Sequence, residues 1–235
     1  MHEFLSGKVG DVLARLRSLQ SLPDAGLLCG GAVANLLWND RSGNHAPVND
    51  IDIFKLVPVT CLRTFCLNVY GMDVPRQGNV RSMRRNGSHD GLLNYVTVYS
   101  ENPDAQNVID NLDLNCTMVG IDLATERLYY HPAFVDFLET GLVRIVNPHT
   151  PLVSAIRLLN KTRQLGARAH FHPQLLDVIA RLGNRMPGFG DKYASLFVEH
   201  EAVLGKYFVL VERAKDWTVR VRSELPTEES SGVLF

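Results

Sequence analysis

Leu28-Cys29-Gly30-Gly31-Ala32-Val33-Ala34-Asn35, followed by Asn49-Asp50-Ile51-Asp52-Ile53-Phe54, is the stretch that decides the fold. Gly26-Leu27-Leu28-Cys29 is short and apolar and suits a buried strand; Gly30-Gly31 breaks it, and Ala32 to Trp38 reads as helix. Residues 39–48 are polar, with Gly and Pro, and read as loop, after which Asp50 to Leu56 reads as a second strand. Alternate residues of a strand share a face, so Asp50 and Asp52 project together while Ile51 turns to the core. Two hard oxygen ligands so placed can share a divalent cation, and backbone N–H groups at a helix start can hold a phosphate.

Working outward, Val9, Val12, Leu13, Leu16 and Leu19 form a helical stripe over residues 8–20, closed by Ser21-Leu22-Pro23-Asp24. Thr60 to Val69 reads as a Thr-capped helix, and residues 71–91 as irregular and basic, with Arg76, Arg81, Arg84 and Arg85. Asn94 to Tyr99 is a β-branched, aromatic strand; Pro103 to Asn111 fits a short helix. Asp113 to Ile121 and Arg127 to Tyr130 read as strands about a turn at 122–125. After Pro151 the pattern turns helical: one helix through Leu165 stopped by Gly166, then helices at Pro173–Leu182, Lys192–His200 and around Val203–Lys215. The expected class is α+β: a mixed-sheet domain over 1–147, an α-helical domain over 148–225 and an unstructured tail over 226–235.

With 235 residues, 46% hydrophobic and 21% charged, the chain has material for one large domain or two small ones. A net charge of -1 argues against a generic, charge-driven nucleic-acid coat, though not against a local basic patch. No apolar run approaches the roughly 20 residues that span a bilayer, and Met1 to Lys8 lacks the layout of a signal peptide. Cys29, Cys61, Cys66 and Cys116 show no CxxC spacing, so buried reduced thiols and a cytoplasmic location are expected. The pattern of a P-loop is absent. His170-Phe171-His172 has no neighbouring ligand to make a zinc site.

A third carboxylate adds to the pair. If the strand opened by Asp113 lies beside that of Asp50 and Asp52, the three can hold two Mg²⁺ or Mn²⁺ ions about 3.5–4 Å apart. Taken alone, Asp113 also reads as a helix-to-strand turn residue or N-cap. Arg157 and Lys161, four apart, share a helix face that suits a triphosphate or is simply solvated. The 76–85 arginines could track the phosphates of an acceptor strand or be a solvated loop; no aromatic residue offers stacking there.

The order Gly30-Gly31, Asp50-Ile51-Asp52, Asp113 over residues 10–165 resembles the polymerase β-type nucleotidyltransferase superfamily, which includes poly(A) polymerases and CCA-adding enzymes. The run Asn147-Pro148-His149-Thr150-Pro151-Leu152 through Arg157 and Lys161 looks like the helix after the palm in those enzymes. The Gly31-to-Asp50 spacing is longer than is usual there, and the 39–48 insert would absorb the excess. The resemblance implies a palm fold in which Gly30, Gly31, Arg157 and Lys161 contact an NTP such as ATP. It implies that Asp50, Asp52 and Asp113 bind two metal ions, with Asp113 also activating the nucleophile. A nucleoside monophosphate would pass to a hydroxyl of RNA, a protein side chain or a small molecule, with release of pyrophosphate. The rival expectation is a catalytically silent palm that binds a nucleotide or a partner protein.

Overall fold

The computed structural model describes residues 1–58, 68–69, 72–73, 82–100, 103–147, 151–169, 198, 208–213 and 216–221. Two helices open it, α1 (His2–Gly7) and α2 (Val9–Leu19), and the apolar stripe of α2 buries Val12, Leu13 and Leu16. β1 (Leu27–Cys29) is buried throughout and runs into α3 (Gly31–Ser42). Helix α3 extends four residues beyond the expected Trp38, through Asp40, which Arg15 holds at 2.8 Å and Lys8 at 3.3 Å. Gly43 then stops it in the left-handed conformation at φ 73°. β2 (Ile51–Pro58) follows; β3 (Asn68–Val69) and β4 (Met72–Asp73) make a small antiparallel pair. Only Asn68–Val69 of the expected 60–69 helix is described, and it is strand.

β5 (Ser82–Asp90) and β6 (Leu93–Ser100) form an antiparallel hairpin turned by Gly91, at φ 61°. The 82–90 segment is therefore strand rather than irregular loop, and places Arg84 and Arg85 opposite Thr97 and Val96. Its polar composition hid it, yet such composition is ordinary on the edge of a sheet, where β5 lies. Arg76 and Arg81 lie outside the described residues.

Next come α4 (Ala105–Asp110), capped by Asp104, and a 3₁₀ turn at Asn115–Thr117. β7 (Val119–Asp122), β8 (Leu128–Tyr130), α5 (Pro132–Thr140) and β9 (Leu142–Val143) complete this half. A continuous strand from Asp113 to Ile121 is thus corrected to a turn followed by a short strand. Asn115 is the cause: its side chain donates to Leu142 O at 3.0 Å and accepts from Arg144 N at 2.8 Å. Thr117 Oγ1 donates back to Leu114 O at 2.9 Å, and such local bonds compete with a ladder.

α6 (Pro151–Leu165) and β10 (Arg168–Ala169) pack against the same body; β10 pairs parallel with β9. β11 (Phe208–Arg213) and β12 (Asp216–Val221) form an antiparallel hairpin where a helix around 203–215 was expected. Val209, Val211, Trp217, Val219 and Val221 are residues that suit a pleated surface, which overrides the weak helical spacing. The helices expected at 173–182 and 192–200 lie outside the described residues except at Val198, which is helical.

The fold is mixed α+β. A six-stranded sheet has the order β5-β6-β2-β1-β7-β8, with β2 parallel to β6 and β1 antiparallel to both β2 and β7. Its apolar residues join those of α2, α3, α4, α5 and α6 in one core. Among the described residues, no helix is long and apolar enough to cross a membrane.

Candidate functional site

The turn between β1 and α3 builds one wall. Gly30 sits at φ 84°, ψ -136°, which a side chain would strain, and its N–H donates to Val119 O at 3.0 Å. Its carbonyl accepts from Ala34 N at 3.1 Å, starting the helix, and no side chain caps the first turn. Those first-turn N–H groups lie at the positive end of α3 and can accept an anion.

The second wall is the start of β2, and its position is set by α3. Asn39 brackets Ala46, accepting from its N–H at 2.7 Å and donating to its carbonyl at 2.9 Å. Asn35, 3% exposed, donates to Pro47 O at 2.6 Å. These bonds tie the 43–50 loop back onto the helix, so the polar insert is a fixed strap that delivers Asp50 and Asp52 beside the Gly-Gly turn. In register, Cys29 of β1 pairs with Asp52, and Asp52 pairs with Asn94 of β6. Asn94 is 2% exposed; its Nδ2 donates to Asp52 Oδ1 at 2.5 Å, and its own Oδ1 has no hydrogen-bond partner among the described residues.

Helix α6 closes the third side. A Cβ on Gly31 would lie 3.1 Å from Lys161 Nζ, so the ammonium lies against the Gly-Gly turn. Burial lowers the Lys161 pKa below the usual ammonium range, while Cys116, Asp50 and Asp52 oppose the shift and Arg157 adds to it. Lys161 also donates to Gln164 Oε1 at 2.9 Å. Beneath it, Cys116 is fully buried; burial pushes its thiol up to about 12, with Lys161, Asp113 and Arg157 as its charged neighbours. Burial likewise raises the Cys29 thiol, with Asp52 adding to the effect.

Gly30, Gly31, Asp50, Asp52 and Lys161 are thereby brought together, with Arg157 one turn away on the same helix. Asp113 is placed differently from the expectation. β2 has β6 and β1 as its neighbours, and Asp113 precedes the 3₁₀ turn leading into β7. Its Oδ2 accepts from Arg157 Nη1 at 2.7 Å and from Ser154 Oγ at 2.9 Å, while its Oδ1 is buried without a partner. Among the described residues, no group of three His, Cys, Asp or Glu side chains could hold a metal. Asp113 thus forms a hydrogen-bonded unit with Arg157 and Ser154, while Asp50 and Asp52 flank the start of β2.

Sequence reasoning missed Asn94 and Ser154, and read Cys116 only as a buried thiol, as it is. Ser154 sits one turn before Arg157, a spacing that puts both on one helix face. Asn94 had no local signal, since only the parallel register of β2 and β6 sets it against Asp52.

No protein-family model matches the sequence, and no curated protein is similar enough to match. Among solved structures, the chain is similar to a Thermotoga maritima CCA-adding enzyme complexed with tRNA, at 17% identity and a TM-score of 0.42, covering 85% of this chain and 49% of that one. It is similar to a CCA-adding enzyme in complex with CTP, at 15% identity and a TM-score of 0.43, covering 86% of this chain and 46% of that one. A third is a tRNA-processing enzyme in an apo form, at 15% identity and a TM-score of 0.40, covering 77% and 47% respectively. The chain spans about half the length of each of these structures.

Proposed function

We propose that the chain is a metal-dependent nucleotidyltransferase, moving a nucleoside monophosphate from an NTP to a hydroxyl acceptor. The observation that carries this is the convergence of a helix start, an ammonium and two carboxylates: Gly31, Lys161, Asp50 and Asp52. The first-turn N–H groups of α3 and the Lys161 ammonium hold the triphosphate, and Arg157 extends the same basic face. The donors near it, Asp50 and Asp52, are oxygens, which fit Mg²⁺ or Mn²⁺. A bound divalent ion would neutralise phosphate charge and polarise the phosphorus under attack. The acceptor oxygen bonds to the α-phosphorus, its proton passes to solvent, and the bond to pyrophosphate breaks. Asp113, committed to Arg157 and Ser154, positions that guanidinium.

A second reading, a palm-like protein that binds a nucleotide or a partner without transfer, is favoured by that placement of Asp113, which leaves two carboxylates at the mouth. One experiment separates the two. The protein is incubated with each labelled NTP, Mg²⁺ or Mn²⁺, and RNA, protein and small-molecule acceptors. Transfer with stoichiometric pyrophosphate is expected, and a loss on the order of 10²–10³-fold or more in folded Asp50→Ala and Asp52→Ala proteins. NTP binding with no pyrophosphate released selects the second reading.

A further inference from the structure

We infer that Asn94 supplies a third protein oxygen, its Oδ1, to a divalent cation held by Asp50 and Asp52. This rests on the metal-dependent reading of the same site. The orientation of the amide is fixed by its neighbour: an ionised carboxylate only accepts hydrogen bonds, so the NH₂ end of Asn94 must face Asp52. The carbonyl end then hangs from the same carbon, next to that carboxylate. It is buried, with Asn94 2% exposed, and it has no hydrogen-bond partner among the described residues.

A native fold seldom leaves such an acceptor orphaned, and an oxygen orphaned beside a carboxylate pair has a cation as its natural partner. Amide oxygens are ordinary ligands of hard divalent ions. The register explains why this residue is available. Asn94 lies opposite Asp52 on the parallel strand β6, so the pair projects to one face of the sheet. One side chain thus does two things, donating through Nδ2 to hold Asp52 and offering Oδ1 to the ion. The resulting ligand set carries two negative charges rather than three, and Lys161 lies within electrostatic reach of both carboxylates. Its affinity for a free divalent ion is accordingly lower than that of three carboxylates, and adding a charge at position 94 strengthens it.

The test is Mn²⁺ binding to the full chain without nucleotide, followed by electron paramagnetic resonance of the free ion, with Mn²⁺-dependent thermal stabilisation as a second readout. Asn94→Leu is expected to weaken binding on the order of tenfold. Asn94→Asp is expected to tighten it by a similar factor and to gain more in Tm from Mn²⁺ than the wild type does. The second variant also decides the matter if Asn94→Leu fails to fold. Were Asn94 only a prop for Asp52, Asn94→Asp would remove the donor and weaken binding, which overturns the inference. Binding lost in Asp52→Asn but unchanged in both Asn94 variants overturns the inference alone. Wild-type protein that binds no better than Asp52→Asn overturns it together with the metal-dependent reading.

Discussion

Two adjacent glycines do different jobs, and substitution separates them. Nothing lies within 4 Å of a Cβ built on Gly30, so its need is purely conformational, at φ 84°. Gly30→Ala should cost about 1–3 kcal/mol in urea denaturation. Gly31 has ordinary helical freedom, but its Cβ would meet Lys161 Nζ at 3.1 Å. Gly31→Ala should therefore stay within about 1 kcal/mol of wild-type stability. It should still lose about tenfold in NTP affinity by calorimetry, the worth of one charge-assisted hydrogen bond. A second residue-scale prediction concerns Cys116. Its thiol is pushed up to about 12 in the fold, against an ordinary value of 9.0, so above pH 9 the unfolded chain sheds a proton that the native state keeps. That contribution is complete below pH 9 and is lost as pH rises towards 12, by up to about 1.4 kcal/mol per pH unit. Urea titrations across this range should show a shallower fall in Cys116→Ala than in wild type; equal slopes would refute the assignment. At this scale the Gly-Gly turn and the two aspartates stood out where a local pattern changes, and Lys161 by its four-residue spacing from Arg157 on α6. Asp113 was singled out as a third carboxylate but not as Arg157's partner, since that pairing depends on where α6 lies.

Helix α6 is fastened to the body at its last turn. Trp38 Nε1 donates to Leu165 O at 2.8 Å, and Asn44 Nδ2 donates to the same oxygen at 2.9 Å. The Trp38 ring also packs on Phe137, tilted by 37° with 4.7 Å between centroids, and a Cβ on Gly141 would lie 3.1 Å from it. Trp38→Phe should cost about 1–3 kcal/mol, and Asn44→Ala about 1 kcal/mol. Because either donor alone satisfies Leu165 O, the double variant should lose more than the sum of the two. A urea double-mutant cycle measures this, and strict additivity would show that the two donors act independently. Elements with a single strong period were read correctly: α2 by its apolar stripe, β1 and β2 by short apolar or alternating runs, β6 by β-branched and aromatic residues. β5 and β11 were missed for opposite reasons. Ser82–Asp90 is polar enough to pass for loop, a composition that is ordinary on the edge of a sheet. Phe208–Arg213 is apolar enough to pass for helix, since a short apolar run has no period of its own.

The core does not stop where the sheet does. Ala155, Ile156, Leu158, Leu159, Leu165 and Ala169 belong to the same buried cluster as Leu28, Val33, Ile53 and Phe134. Each large apolar side chain in that group is worth about 1.5–3 kcal/mol of burial, and the stability of a whole domain is about 5–15 kcal/mol. Removing α6 and β10 would also take Ser154 and Arg157 from Asp113, a carboxylate whose side chain is 9% exposed. It would take the acceptor from Trp38 and Asn44, and the parallel partner from β9. A chain ending at Asn147 therefore lacks more than its stability can spare. It should show no cooperative thermal transition and a near-ultraviolet circular dichroism spectrum without fixed aromatic signals. A chain ending at Ala169 retains all of these contacts and should unfold cooperatively. A sharp transition in the shorter chain, at the temperature of the longer one, would mean that the sheet and α1 to α5 fold by themselves. Lys161 would then approach the Gly-Gly turn by docking of one folded unit on another.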